Sequence, residues 1–350
     1  MSSAPWFDGD QASVGDARQQ GRPLAGRFGI VRAVLAPSPG LWVAAAALAL
    51  VDALWLWRAG IRLEPAGFLG AAALVAILVA AGAFWRLQKP EPVLAGMALA
   101  SAALAAFTIA VALLHYLAAT LAPPLVDAEL ASLEAALGFD WRSHRAFLEA
   151  HPRLATALAL AYHSSGPQVA LVVIALSAAR RFDRLWAFVR LFAATLFVVI
   201  AIAAVFPAEG AYALYAPNAI AGQRLETIGG TWHLAPLAEL RSGSVATIAL
   251  GDIRGLATFP SFHVCLALIT AWALAPIPWL GLAAILLNAA VIVATLGAGG
   301  HYLPDLLAGA LLAALALVHQ HRARAQARTG TRAPSPKSWR TRSAVMRAPS

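Results

Sequence analysis

Polar residues are confined to short stretches along most of this chain, and long apolar segments run between them. Such segments fall at about Leu41–Trp57, Ala66–Trp85, Val93–Ala118, Leu154–Ala178, Leu185–Phe206, Phe259–Ala275, Trp279–Leu296 and Tyr302–His319. Each is long enough, at ~1.5 Å of rise per residue, to cross a bilayer core of roughly 30 Å as a helix. Trp55, Trp57, Trp85, Trp186, Trp272 and Trp279 fall near their ends, where amphipathic rings favour the membrane interface. The expected fold class is all-α, a polytopic transmembrane helical bundle of about eight spans.

The flanks differ from the middle. Residues 1–39 are rich in Gly, Ser, Gln, Asp and Arg without apolar periodicity, which predicts a disordered cytoplasmic arm. The first apolar run begins only near Leu41, which argues against a cleaved signal peptide. Residues 40–320 are the expected transmembrane catalytic domain. Residues 321–350 form a basic tail, expected to be disordered and to lie on anionic headgroups. An even number of spans puts both termini on one side. With the N-terminus inside, Arg86, Lys89, Arg180, Arg181, Arg184 and the whole basic tail are cytoplasmic. The outer segments then carry arginines offset by Asp127, Glu129, Glu134, Asp140 and Glu149, an asymmetry that fits a plasma (inner) membrane protein with both ends inside. Two outer segments are long: 123–152, with an amphipathic helix ending at Gly138, and 207–257, a candidate lid or lipid gate.

Composition sharpens this picture. Of 350 residues, 60% are hydrophobic and 12% charged, and the mean hydropathy is +0.71. Soluble domains are nearer half apolar and a quarter charged. The net charge of +9 sits at segment ends and in the tail, so it reads as a topology signal and offers nucleic acid no surface. One cysteine, Cys265, rules out an intrachain disulfide and is expected to pack in the core.

Two polar knots carry the candidate chemistry. Pro260-Ser261-Phe262-His263 opens one apolar segment, and Gly299-Gly300-His301-Tyr302-Leu303-Pro304-Asp305 opens another. One descent and one ascent separate them, so both histidines lie at the same face, outward under the topology above. Pro260 and Pro304 suit the first turns of helices, whose unpaired N–H groups attract anions. A spacing of four lets the Asp305 carboxylate hold one nitrogen of His301 and free the other for attack. Gly299 and Gly300 allow close backbone approach to a ligand. Together these features suit phosphoryl transfer.

These knots resemble the second and third signature motifs of the type 2 phosphatidic acid phosphatase superfamily. With Phe262 in the usual glycine position and His-Tyr-x-x-Asp in the last motif, they are more similar to its inositol phosphorylceramide synthase-like branch. The resemblance implies a six-helix phosphatase-like core and a metal-free, cofactor-free reaction. His301 would become the phosphohistidine, Asp305 would orient it, and His263 would protonate the leaving alkoxide. The family's Ser-Arg pair falls on Ala294-Thr295, so its phosphate-binding arginine is missing. Ser261 and Thr295 remain as hydroxyl donors, and Arg254 or Arg241 as a replacement cation. The implied substrate is a phospholipid or isoprenoid phosphate, handled by a phosphatase or by a phosphotransferase passing the group to water or an inositol-like alcohol.

Other readings stay open. Ser261 could be only a helix cap, or the nucleophile of an intramembrane serine hydrolase with His301. A transporter or scaffold is the non-enzymatic alternative, though charges inside the spans are scarce. His163 marks a polar kink expected to serve packing, and Asp52 is expected to pair with Arg58. His115, His144, His151 and His233 show no repeated ligand spacing, so no metal site is expected.

Overall fold

A computed structural model describes residues 34–36, 38–218 and 224–330; the expected arm to residue 33 and the tail beyond residue 330 lie outside the described residues. An apolar hairpin comes first, α1 (Pro39–Ala59) and α2 (Pro65–Leu87), followed by α3 (Pro92–Ala119). Each starts with proline in its first turn, where the missing N–H costs nothing. Two short helices follow, α4 (Asp127–Ala136) and α5 (Trp141–Ala150), where the sequence predicts one. Asp140 separates them by capping α5, its carboxylate accepting from the Arg142 N–H at 3.0 Å.

The expected span Leu154–Ala178 is two helices, α6 (Pro152–His163) and α7 (Ser165–Ala178), bent by 48°. Pro167 removes the N–H that would close the ladder onto His163. The Ser164 and Ser165 hydroxyls donate instead to the Ala161 and Tyr162 carbonyls at 2.6 and 2.7 Å. Then come α8 (Phe182–Val205), a segment with α9 (Ala211–Tyr215), α10 (Leu225–Thr231) and α11 (Leu234–Ser242), and the final hairpin and span: α12 (Phe262–Leu274), α13 (Leu280–Gly297) and α14 (Leu303–Gly330).

Among the described residues six of these helices are long and apolar enough to cross a membrane, seven if the bent α6–α7 pair is one span, and α12 is apolar but shorter. The protein is a multi-pass membrane protein with an all-α bundle. Exposed Leu74, Ile77, Leu286 and Leu311 give the outside of the bundle its lipid-compatible surface. Two-residue strands β1 (Arg62–Leu63) and β2 (Thr247–Ile248) pair in parallel, a contact that no pattern in the sequence announces.

Three expectations are corrected. The last helix continues to Gly330, so residues 321–330 are helical where a disordered tail was expected. Pro260 lies before α12 instead of in its first turn. Asp52 is buried with neither carboxylate oxygen hydrogen-bonded, so it does not pair with Arg58.

Candidate active site

The two histidines meet at one end of the bundle because α12 and α14 begin there side by side. The Ser261 N–H donates to the Asp305 carbonyl at 3.0 Å. Gly309 is required beside it, since a Cβ there would lie 2.4 Å from the Ser261 carbonyl oxygen. Across this contact the His263 and His301 rings face each other with centroids 6.5 Å apart, nearly edge to face at 69°. Both line a cavity of about 290 Å³.

His301 is 3% exposed, and its Nδ1 lies 3.2 Å from Asp305 Oδ2. The same carboxylate oxygen accepts from the Tyr302 N–H at 3.1 Å, so it is pinned from two sides. Burial lowers the His301 pKa to about 4, with the Thr258 backbone opposing in part. The ring is therefore neutral at neutral pH, with Asp305 at Nδ1 to set the tautomer. His263 is held differently. Its Nδ1 lies 3.2 Å from the Tyr162 hydroxyl, and the two rings stack at 4.2 Å. The α6–α7 bend sits just past Tyr162, the residue that stacks under His263.

The polar end is built on two close backbone approaches. Gly300 has φ +64, and a Cβ on it would lie 2.6 Å from the Tyr212 ring and 3.1 Å from the Gly230 Cα. Gly210, at φ +94, sits against the Gly300 carbonyl, which accepts from the Ala211 N–H at 2.7 Å. Only glycine fits both constraints cheaply. Behind them stand two carboxylates of α4. Asp127 accepts from the Glu209 and Gly210 N–H groups at 2.9 and 2.8 Å and from the Tyr302 hydroxyl at 3.1 Å. Glu134, 1% exposed, accepts from the Leu303 N–H at 2.8 Å. Burial raises its pKa to about 7, the Leu303 N–H opposes this, and the charges of Asp305 and Asp140 add to it.

The residues singled out in the sequence divide into two groups. His263, His301, Gly299 and Arg254 line the cavity, and Asp305 stands behind His301. Arg254 is anchored through its N–H to the Tyr116 hydroxyl at 2.6 Å, and its Nη1 donates to the Gly251 carbonyl at 2.6 Å. Its guanidinium lies 5.7 Å from the Trp232 ring centre. Thr295, Ser261 and Gly300 are not among the lining residues. The Thr295 hydroxyl donates to the Val291 carbonyl at 2.8 Å instead. The Ser261 hydroxyl is buried with no partner and makes no helix cap. Arg241 lines a separate small cleft with His115 and Leu237.

Sequence reasoning missed Tyr162, His115 and His233 as cavity-lining groups, and Asp127 and Glu134 as supports. His233 Nε2 lies 2.9 Å from the Glu209 carbonyl, and burial lowers its pKa to about 4. One signal was present. Asp127 and Glu134 are seven residues apart, two helical turns, and so share one face of α4.

Residues 128–319, more than half of the chain, match the model of the PAP2 superfamily. The chain belongs to the PAP2 superfamily. No curated protein and no solved structure matches it. The superfamily match spans nearly all of α4 together with His263, His301 and Asp305, whereas α1, α2 and α3 precede it. Membership supports an activity of the phosphatase or phosphotransferase type.

Proposed function

We propose that this protein transfers phosphoryl groups of lipid phosphates through a phosphohistidine on His301. The observation that carries the reading is the buried His301–Asp305 contact at 3.2 Å, facing His263 across one cavity. Asp305 holds Nδ1, and the His301 Nε2 lone pair attacks phosphorus. The P–O bond to the lipid breaks, and His263 protonates the departing alkoxide. An acceptor oxygen then attacks the phosphohistidine, gives up its proton to His263 and releases His301. Arg254 supplies positive charge to the equatorial phosphate oxygens in place of the missing family arginine.

Hydrolysis is the first reading of the second step. Transfer to a polyol, as in the inositol phosphorylceramide synthase-like branch, is the second, because the segment carrying α10 and α11 roofs the cavity and supports exclusion of bulk water. The arginines gathered at the opposite end of the bundle support a site facing outward.

Purified protein would be assayed against a panel of lipid phosphates, with and without alcohols including inositol. Wild type quenched in alkali should carry alkali-stable, acid-labile phosphate on His301, and His301→Ala should lose both label and turnover. Full turnover in His301→Ala would end the proposal. Free phosphate release unchanged by every alcohol would eliminate the transfer reading.

A further inference from the structure

A second cavity lies far from the histidines. It measures about 720 Å³ and opens where α2 ends, α3 and α8 begin, and α14 runs out. The other ends of these helices approach the active-site end, so the cavity and the catalytic residues occupy opposite ends of the bundle. Its size falls within the roughly 300–1,000 Å³ typical of sites for whole small molecules.

Its lining has two characters. Trp85 and Phe182, both partly exposed, form an apolar part over buried Leu99 and Trp186. Arg86, Arg190 and Arg324 bring three guanidinium groups to the same space, against the carboxylates of Glu91 and Asp183. Among the described residues, the ion pairs are Arg145–Glu149 and His301–Asp305, so Arg190 and Arg324 have no carboxylate within salt-bridge distance. Arg324 donates only to the Asp183 carbonyl at 3.1 Å, a backbone group without charge. Arg190 and Arg324 repel each other electrostatically. The Asp183 charge offsets only part of this at Arg190, neither arginine has a carboxylate within salt-bridge distance among the described residues, and an anion between them would relieve the repulsion. Trp85 and Trp186 place the opening at the depth of lipid headgroups.

We propose that this cavity binds an anionic phospholipid, its phosphate among Arg190, Arg324 and Arg86 and one acyl chain along Trp85 and Phe182. A phosphate on an apolar chain satisfies both parts of the lining, whereas inorganic phosphate uses only one. The lipid would act as a structural ligand at the end remote from catalysis.

The test uses the full-length protein and measures binding. Protein released from nanodiscs of phosphatidylcholine with about one-fifth phosphatidylglycerol would be examined by native mass spectrometry. Retained phosphatidylglycerol should fall about fivefold for each arginine lost in Arg190→Gln/Arg324→Gln. Arg190→Lys/Arg324→Lys should keep most of it. Should the double glutamine variant fail to fold, Arg190→Gln carries the test, since the Arg190 side chain makes no hydrogen bond to the protein among the described residues. A separate arm adds inorganic phosphate in detergent at constant ionic strength. Stabilisation by inorganic phosphate equal to that by phosphatidylglycerol would overturn the lipid assignment. Equal lipid retention by wild type and glutamine variants would overturn the site itself. His301→Ala should retain lipid normally, so failure of the catalytic reading would leave this result intact.

Discussion

The α1–α2 and α12–α13 hairpins are alike in apolar composition and differ in almost everything else. In α2 the only buried residue is Gly82, and in α1 they are Leu41, Ala45 and Asp52. In α12 and α13 one side is buried nearly throughout, and the polar groups of α13 there find partners. Asn288 donates to Gln168 at 2.7 Å and to the Ala284 carbonyl at 2.8 Å. Arg184 caps the far end of α12, donating to the Ala273 carbonyl at 2.9 Å and to the Trp272 carbonyl, with its guanidinium 4.2 Å from the Trp272 ring centre. Hydropathy measures fitness for lipid and is silent on whether a helix faces lipid or protein. What separates the hairpins is whether their ends and interior positions carry groups that other elements must satisfy.

The outer hairpin still reaches the site, through its tip. Between α1 and α2, the Arg62 and Glu64 N–H groups donate to the Ala246 and Ile248 carbonyls, both at 2.9 Å. This pairing steadies the segment that leads to Arg254. The hairpin's contacts with that segment gather at its tip, in this ladder, in Trp55 and Phe68 packed against the cluster of Ile248 and Leu256, and at Gly67 beside Leu250.

The largest effect is expected where backbones touch at the active end. Gly300→Ala adds a methyl group at φ +64 and drives it into Tyr212 and the Gly230 backbone. His301 follows directly, so misplacing the backbone by a fraction of an ångström moves the proposed nucleophile. kcat should fall by about 10²-fold or more. A normal kcat in a protein that folds would show that the close approach is not needed for chemistry. Next comes the cation. Arg254→Ala should lower kcat/KM by at least ~10²-fold, with Arg254→Lys recovering only part, because a point charge cannot reproduce a bidentate contact. A loss in Arg241→Ala without one in Arg254→Ala would identify the wrong clamp.

Glu134 separates stability from chemistry. Its folded-state pKa of about 7 lies above the ordinary value of 4.5. Between those values the folded state holds a proton that the unfolded state has lost, so stability falls as pH rises from about 4.5 through 7. Glu134→Gln keeps an oxygen to accept the Leu303 N–H and removes the titration. The variant should melt about 2–4 °C above wild type at pH 8 and close to it at pH 5. Parallel melting at both pH values would show that Glu134 does not titrate as its burial implies.

These elements also mark what could be read from the chain. The spans, the shared face of His263 and His301, and the Asp305 contact follow from apolar length and a spacing of four, because those are local regularities. The positions of Asp127, Tyr162 and His233 depend on tertiary contacts across 175, 101 and 24 residues, which no local pattern encodes. Thr295 failed as a phosphate contact for a related reason. Buried inside α13, its hydroxyl donates back to the Val291 carbonyl, four residues earlier in the same helix.

The smallest effect is expected at the lipid-facing seam, and it decides whether the hairpins differ in function as they do in burial. At Gly82 a Cβ would fall 2.5 Å from Leu99, which is 1% exposed and cannot yield easily. Small residues at such crossings let helices approach closely. Gly82→Ala should therefore overpack the α2–α3 contact and cost about 1–3 kcal/mol, with Leu99→Ala relieving part of the loss. Because Gly82 lies toward the end of α2 remote from β1, kcat should stay within about twofold of wild type. Gly67→Ala, at the other end of α2, is the informative partner. Its Cβ would meet the Leu250 Cβ at 3.0 Å, beside the segment that carries Arg254. A several-fold fall in kcat/KM there, with Gly82→Ala active, would show that the shell acts through its tip. Equal losses in both would mean that the outer hairpin is coupled to the site along its whole length.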